Sequence, residues 1–402
     1  MLSSYNVNWP DWDSNYGRMG YWTIKENYGP FHMYATIITI GFILAILLSC
    51  YQAKLRKTEV MQLLLAATPI IPLSLMGASF VGKVNTDPDA SFFSLFKFWE
   101  GGMAIHGGVI TATIFAIPAL IYFSKKFDIS VWEYLDCFVP NIMLAQAIGR
   151  WGNFFNHELV GPCAGIVDEN NTPLSWLPKF IRVNTQYTFN GAVYQFHPIF
   201  FYESIGLFLG WIFIMVIPFI VKATGKKPWK LKSDKYKFSW KQTLIAPLDL
   251  NKEYKNSYMY IWDKEYHFKS NKENRENFLQ ELKNIESSNK SNFKKHLEKG
   301  ILLNKCNNPE GYHTLKSGVK AGFYWAIWNL VRGILETMKT DNILFIKYHK
   351  ELSVSLIFTM MVIGIIIVLL CQFVFPYVFR KPGMRYEKQY FYTKDVLEKK
   401  YK

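Results

Sequence analysis

Residues that are costly inside an apolar segment recur at defined places in this chain: His106, Arg150, Arg332 and Glu336. Arginine is the natural bidentate clamp for phosphate oxygens. A histidine with an unperturbed pKa of about 6.5 accepts a proton at neutral pH. Two arginines and a histidine suit a displacement in which phosphate departs and a thiol or hydroxyl attacks. The base makes the nucleophile and the guanidinium groups stabilise the departing charge. The densest polar stretch runs from Gly149 to Glu158. It holds Arg150, the amides Asn153 and Asn156, His157 and Glu158, with Gly149 and Gly152 between them. No HExxH or carboxylate-rich motif occurs, and none of these residues forms a metal cluster.

The elements that must position these residues are apolar. Seven segments approach the roughly 20 apolar residues a membrane-spanning helix needs: Met33–Tyr51, Met61–Gly82, Gly101–Phe123, Val131–Gly149, Pro198–Val221, Ala321–Met338 and Leu352–Phe375. Basic residues follow segments one (Lys54, Arg56, Lys57), three (Lys125, Lys126) and seven (Arg380, Lys381, Arg385). That bias places the N-terminus outside and the C-terminus in the cytoplasm. The expected fold is an all-α integral membrane protein of seven transmembrane helices, with a small α+β-like cytoplasmic insertion between helices five and six. The expected divisions are an external arm at 1–32, helices one to five at 33–222 with an external loop at 153–195, the insertion at 223–319, helices six and seven at 320–376, and a basic tail at 377–402. Residues 1–30 have no apolar core of a secretory signal.

Helical rise places the polar groups by depth. His106, six residues into segment three, falls about 9 Å below the outer face, and Arg332 roughly 12 Å below the same face. Tyr34, Arg150 and His197 stand at the outer ends of segments one, four and five. Five segments therefore bring polar groups to the outer leaflet. Each also has a plainer explanation. A lone histidine or tyrosine can be an interfacial anchor. Arg332 and Glu336, at i and i+4, can neutralise each other. Gly107 and Gly108 can serve close helix packing, or leave room for a lipid headgroup.

Of 402 residues, 17% are aromatic and 19% charged, with a formal charge of +15. The apolar content excludes disorder for most of the chain. The positive charge calls for an anionic partner. Because it flanks apolar segments and fills the insertion, anionic membrane lipids fit it better than nucleic acid. Within the insertion, Asn274–Leu297 reads as a charged helix with Phe278, Leu282 and Ile285 on one face, and Tyr258–Phe268 alternates like a strand. Five scattered cysteines form neither a disulfide framework nor a zinc motif.

These motifs resemble the prolipoprotein diacylglyceryl transferase family. Gly149 to Glu158 is similar to its Gly-Arg-x-Gly-Asn-Phe-x-Asn-x-Glu signature, with Gly161 following. Gly101 to Gly108 resembles its Gly-Gly-x-x-x-His-Gly-Gly block, and His197-Pro198 with Tyr202-Glu203 its His-Pro-x-x-x-Tyr-Glu block. Arg332, Glu336 and Asp341 resemble its sixth-helix motif, and Tyr34 its first-helix tyrosine. The chain departs at His32, Ser79, Phe196 and Lys339, where the family usually carries arginine.

The resemblance implies an enzyme of the bacterial plasma membrane, with its site toward the outer leaflet. It would move a diacylglyceryl group from phosphatidylglycerol to the lipobox cysteine of lipoprotein precursors. No metal or organic cofactor is implied by the resemblance. His106 would be the base, and Arg150 and Arg332 would hold the phosphate. Asn153, Asn156 and Glu158 would orient the headgroup. Tyr34, Gly107, Gly108, His197, Tyr202 and Glu203 would line the site, Gly161 would support the loop, and Glu336 would hold Arg332. An anionic-solute transporter, or an inactive lipid-binding scaffold, stands as the alternative.

Overall fold

The computed structural model describes residues 23–390, apart from 57, 59, 87–90, 98–104, 158–159, 169–170, 190, 250–251, 267–271, 340–343, 347, 382 and 389. Two short strands, β1 (Asn27–Tyr28) and β2 (Phe31–His32), precede helices α1 (Met33–Leu55), α2 (Val60–Thr86), α3 (Ile105–Phe127) and α4 (Val131–Phe155). Strand β3 (Val160–Val167), helix α5 (Lys179–Val183), strands β4 (Gln186–Phe189) and β5 (Ala192–Pro198) and helix α6 (Ile199–Thr224) follow. Then come α7 (Pro228–Leu231), α8 (Trp240–Ile245), α9 (Tyr258–Tyr266), α10 (Lys272–Ser287), α11 (Asn292–Asn307), α12 (Val319–Glu336) and α13 (Lys350–Leu369). A π-helical turn at Leu370–Val374 and α14 (Phe375–Val378) complete the series.

Each of the seven apolar segments overlaps a helix among the described residues. Among the described residues, Met33–Leu55, Ile110–Phe127, Ile199–Leu231 and Lys350–Val378 are long and apolar enough to cross a membrane. The fold is mostly helical, but it is not all-α. β3, β5 and β4 form an antiparallel sheet in that order, in the region expected to be an external loop. The signal lay in Asn190-Gly191 between two alternating runs, which is hairpin chemistry; Gly191 adopts φ +76°. Helix α4 runs six residues past its expected end, so Arg150 and Asn153 lie within it. His197 lies in β5 rather than opening a helix.

The chain divides into two compact units. The first comprises Met1–Leu47, Pro140–Ile214 and Phe323–Ile365. Its core packs Met143, Ala147, Leu207 and Ile214 with Trp211, Ile327 and Val331. Helices α6 and α12 touch through glycine: a Cβ added at Gly206 would lie 2.9 Å from Val331, and one at Gly210 2.6 Å from Ile327. Such close approach is how helices associate where no water drives them together. Ser204 Oγ also donates to the Ala147 carbonyl at 2.8 Å, tying α6 to α4.

The second unit comprises Leu48–Val139, Met215–Gly322 and Ile366–Lys402. Here Glu133 pairs with Arg56 at 2.7 Å and accepts from Ser317 Oγ at 3.0 Å. Asp136 accepts the backbone N–H groups of Gly318 at 2.9 Å and Ala321 at 3.0 Å. It thereby satisfies donors at the start of α12, where the helix dipole favours a carboxylate.

The described residues of the insertion are helical and irregular, so the α+β-like expectation is corrected. The described part of the strand expected over Tyr258–Phe268 is helical: Tyr258–Tyr266 is α9, because Tyr258 and Trp262, one helical turn apart, join one cluster with Trp229 and Tyr312, while residues 267–268 lie outside the described residues. Short apolar runs fit either period until packing decides. The expected helix over Asn274–Leu297 is two, α10 and α11, broken before Ser291, whose side chain accepts the Lys294 N–H. Phe278 is buried with Leu302, Leu303, Tyr386 and Tyr390, and Leu282 and Ile285 pack against them, as their shared face implied.

Glu265 joins these pieces. It accepts from Lys232 at 2.6 Å, Lys235 at 2.8 Å and Tyr236 Oη at 2.6 Å. Burial alone would raise its carboxyl, but the hydrogen bonds outweigh burial and hold it at about 2, against an ordinary 4.5. A depressed folded pKa gives stability that is fully present above the unfolded value and lost as pH falls through the folded one. Hydrogen exchange in α9, corrected for intrinsic rates, should therefore lose protection between about pH 4.5 and about pH 2. In Glu265→Gln, protection should be lower at pH 7 and flat across that window.

Candidate functional site

Ten of the residues expected to carry chemistry lie among the described residues of the first unit: Tyr34, Arg150, Asn153, Asn156, Gly161, His197, Tyr202, Glu203, Arg332 and Glu336. Their helices are held by direct contacts. Tyr34, in the first turn of α1, lies against α4, where a Cβ added at Gly152 would fall 2.9 Å from its ring. Alanine there would displace Tyr34.

Arg150 projects from α4 toward the first turn of α6. Its Nη2 lies 2.8 Å from Glu203 Oε1, with only 15% and 4% of the two side chains exposed. The contact is an ion pair without hydrogen-bond alignment at that oxygen, and the Arg150 Nε is buried with no hydrogen-bond partner among the described residues. Buried donors of this kind call for an explanation, and a further anionic group is one.

Helix α4 ends two residues past Asn153. His157 takes the left-handed conformation, φ +53°, that commonly stops a helix. Its carbonyl accepts from Tyr187 Oη at 2.9 Å, which fixes the exit into the sheet. Asn153 is buried in the last turn of α4, and Asn156 follows that helix. Gly161 lets β3 reach the β5–α6 junction, since a Cβ there would lie 2.9 Å from Ile199 and 3.3 Å from the His197 Cβ. His197 Nδ1 is 3.1 Å from Tyr202 Oη. Burial pushes this imidazole below its ordinary value, which favours the neutral ring. Trp176 stacks on Tyr202.

The expected pairing of Glu336 with Arg332 is corrected. Glu336, fully buried, is engaged by Lys339 at 2.9 Å, by Ser353 Oγ at 2.6 Å and by the Phe345 N–H. Lys339 stands three residues on, where α12 has ended and the chain turns toward α13, and it reaches the carboxylate from that side. Arg332 has no ion-pair partner among the described residues, although its charge and that of Glu203 are both felt by Lys339. A half-buried guanidinium without a carboxylate suits an anionic ligand.

His106 lies in the first turn of α3, and Gly107 and Gly108 follow it, in the second unit. The His106 side chain, Glu158 and Asp341 lie outside the described residues. Gly107 and Gly108 face α2: a Cβ at Gly107 would lie 2.4 Å from the Gly77 carbonyl, and one at Gly108 3.3 Å from Ala78.

Two anchoring residues were not singled out from sequence. Asn184 accepts the Thr23 and Ile24 N–H groups at 2.9 and 3.1 Å, and donates to Thr23 Oγ1 and the Phe180 carbonyl. It ties the N-terminal chain to the α5 loop. Ser353 is the other; nothing in its sequence setting marks it. Lys339 was visible only as a departure from arginine.

The prolipoprotein diacylglyceryl transferase family model matches residues 23–231, just over half the chain. The chain is 35% identical over 189 residues to the phosphatidylglycerol–prolipoprotein diacylglyceryl transferase of Streptococcus suis (strain 05ZYH33), a match covering 46% of this chain and 64% of the relative. It is 36% identical over 190 residues to the protein of the same name from Streptococcus equi subsp. zooepidemicus (strain MGCS10565), covering 46% and 66%. For that of Clostridium botulinum (strain Langeland), identity is 35% over 199 residues, covering 48% and 71%. The chain thus spans just under two thirds of the length of the two streptococcal relatives. Arg332, Glu336 and the insertion fall outside the family-model match. Signature, ion pair and match agree over residues 23–231, and the chain belongs to the prolipoprotein diacylglyceryl transferase family.

Proposed function

We propose that this chain transfers the diacylglyceryl group of phosphatidylglycerol to the lipobox cysteine thiol of lipoprotein precursors. The cysteine sulfur attacks the glycerol carbon bearing the phosphate, a thioether forms, and the carbon–oxygen bond to phosphate breaks. Glycerol phosphate leaves. His106 takes the thiol proton, and Arg150 and Arg332 hold the phosphate and stabilise its developing charge. Asn153, Asn156 and Glu158 orient the headgroup, with Tyr34, Gly107, Gly108, His197 and Tyr202 lining the site and Gly161 shaping the adjoining loop. Glu203 and Glu336 act as positioning residues, one on Arg150 and the other on Lys339.

The observation that carries this reading is Arg150: 15% exposed, ion-paired with Glu203, and with a buried Nε donor left over. The enzyme sits in the bacterial plasma membrane as seven spanning helices, N-terminus outside, with its site toward the outer leaflet and the insertion in the cytoplasm. An anionic-solute transporter would need a polar path to the inner face, for which Glu133 and Asp136 on α4 are the candidates. Arg56, Ser317 and the N–H groups at the start of α12 engage both carboxylates, which weakens it. The acceptor is tested with phosphatidylglycerol vesicles and a lipobox peptide. Release of glycerol phosphate should require the peptide's cysteine and vanish with serine in its place. Equal release from both peptides would rule out the thiol as acceptor.

A further inference from the structure

Helix α8 and the turn that follows it present an apolar stripe that nothing among the described residues covers. Trp240, Leu244 and Leu248, spaced four apart, are 70%, 72% and 86% exposed. The stripe is held outward by a fixed seat. Ser239 caps the helix by accepting the Gln242 N–H. On the other side, Gln242 Oε1 accepts the Asn256 N–H and Thr243 Oγ1 the Tyr258 N–H, both at 3.0 Å. Phe238 packs edge-on to Trp240 and stacks on Trp229.

Depth is set by a second contact. Tyr51 Oη, near the end of α1, donates to the Pro247 carbonyl at 2.9 Å. Tyr51 belongs to the apolar stretch Met33–Leu55. Pro247, with Leu244 and Leu248 beside it, therefore sits at the level where α1 leaves the apolar layer.

Charge points the same way. Residues 226–255 carry nine lysines against three carboxylates. Lys237, Lys241, Lys252 and Lys255 are exposed. An apolar stripe headed by tryptophan and flanked by lysines is the composition of a segment lying in a membrane interface. Lysines near such a surface are drawn to anionic headgroups.

We propose that Trp240–Leu248 lies in the leaflet where α1 ends, with Trp240, Leu244 and Leu248 among the acyl chains and the flanking lysines on anionic headgroups. The proposal rests on the membrane reading of α1 and is independent of the transferase reading.

The test uses the full chain in nanodiscs of phosphatidylcholine and phosphatidylglycerol, with a trace of phospholipid carrying a diazirine in its acyl chain. After illumination, adducts are mapped by peptide mass. Adducts are expected on 240–248 at a yield comparable with those on α13. The yield at 240–248 should fall several-fold when phosphatidylcholine replaces phosphatidylglycerol. The double substitution Leu244→Glu/Leu248→Glu should remove those adducts and leave the ones on α13, which report that the fold survives. With α13 labelled, absence of adducts on the native segment would overturn the proposal. So would a covalent link from this stripe to a second copy of the chain in place of lipid. A yield unchanged without phosphatidylglycerol would overturn its anionic part.

Discussion

Arg150→Ala is expected to lower diacylglyceryl transfer by about 10²- to 10³-fold, the usual loss when one donor to a developing anion is removed. The substitution also strands Glu203, which is 4% exposed, beside the site. Arg150→Lys should recover little, because an ammonium cannot bridge a carboxylate and a phosphate in the planar fork that Arg150 offers both. Glu203→Gln keeps the shape and frees the guanidinium, so its loss should be smaller, about tenfold, an effect of positioning. Initial rates on phosphatidylglycerol vesicles with a lipobox peptide separate the three. An Arg150→Ala protein at wild-type rate would remove this residue from the mechanism.

Gly107→Val is expected to abolish the folded protein. A Cβ at this position would fall 2.4 Å from the Gly77 carbonyl and 2.6 Å from the Val81 Cβ, so backbone must move. Overpacking a fitted site costs about 1–3 kcal/mol even where side chains can yield, and here α2 and α3 would have to separate. Gly108 supplies the contrast. Its added Cβ would meet Ala78 and the Ser74 carbonyl at 3.3 Å, so Gly108→Ala should shift the thermal midpoint only slightly. Comparing unfolding of the two variants in detergent checks the assignment. Equal stability would show that α2 and α3 do not need the contact.

What the sequence made legible followed from periodicity and cost. The apolar runs are helical, four of them long and apolar enough to cross a membrane, because a helix satisfies its backbone polar groups within the segment. Arg150 and Arg332 stood out because guanidinium is expensive there. The sheet is marked in the sequence by turn chemistry at Asn190-Gly191 between two alternating runs, a signal that apolar content alone does not carry. Over Tyr258–Phe268 the alternation of Tyr258, Tyr260 and Trp262 fits a strand as well as a helix, and packing with Trp229 and Tyr312 makes Tyr258–Tyr266 helical. Partner choice was least legible. Spacing allowed Glu336 to meet Arg332 at i−4 or Lys339 at i+3, and only the turn into α13, with Ser353 and Phe345, selects Lys339.

The central claim is transfer to a thiol, and one measurement meets it directly. Purified protein, phosphatidylglycerol vesicles and a peptide with a single reduced lipobox cysteine are incubated, and the peptide's mass is followed beside glycerol phosphate. The account predicts a diacylglyceryl mass gain with one glycerol phosphate released per peptide modified, both lost in His106→Ala and Arg150→Ala. A folded protein that binds phosphatidylglycerol yet leaves the peptide's mass unchanged would contradict it, and would leave a lipid-binding membrane protein of the same family.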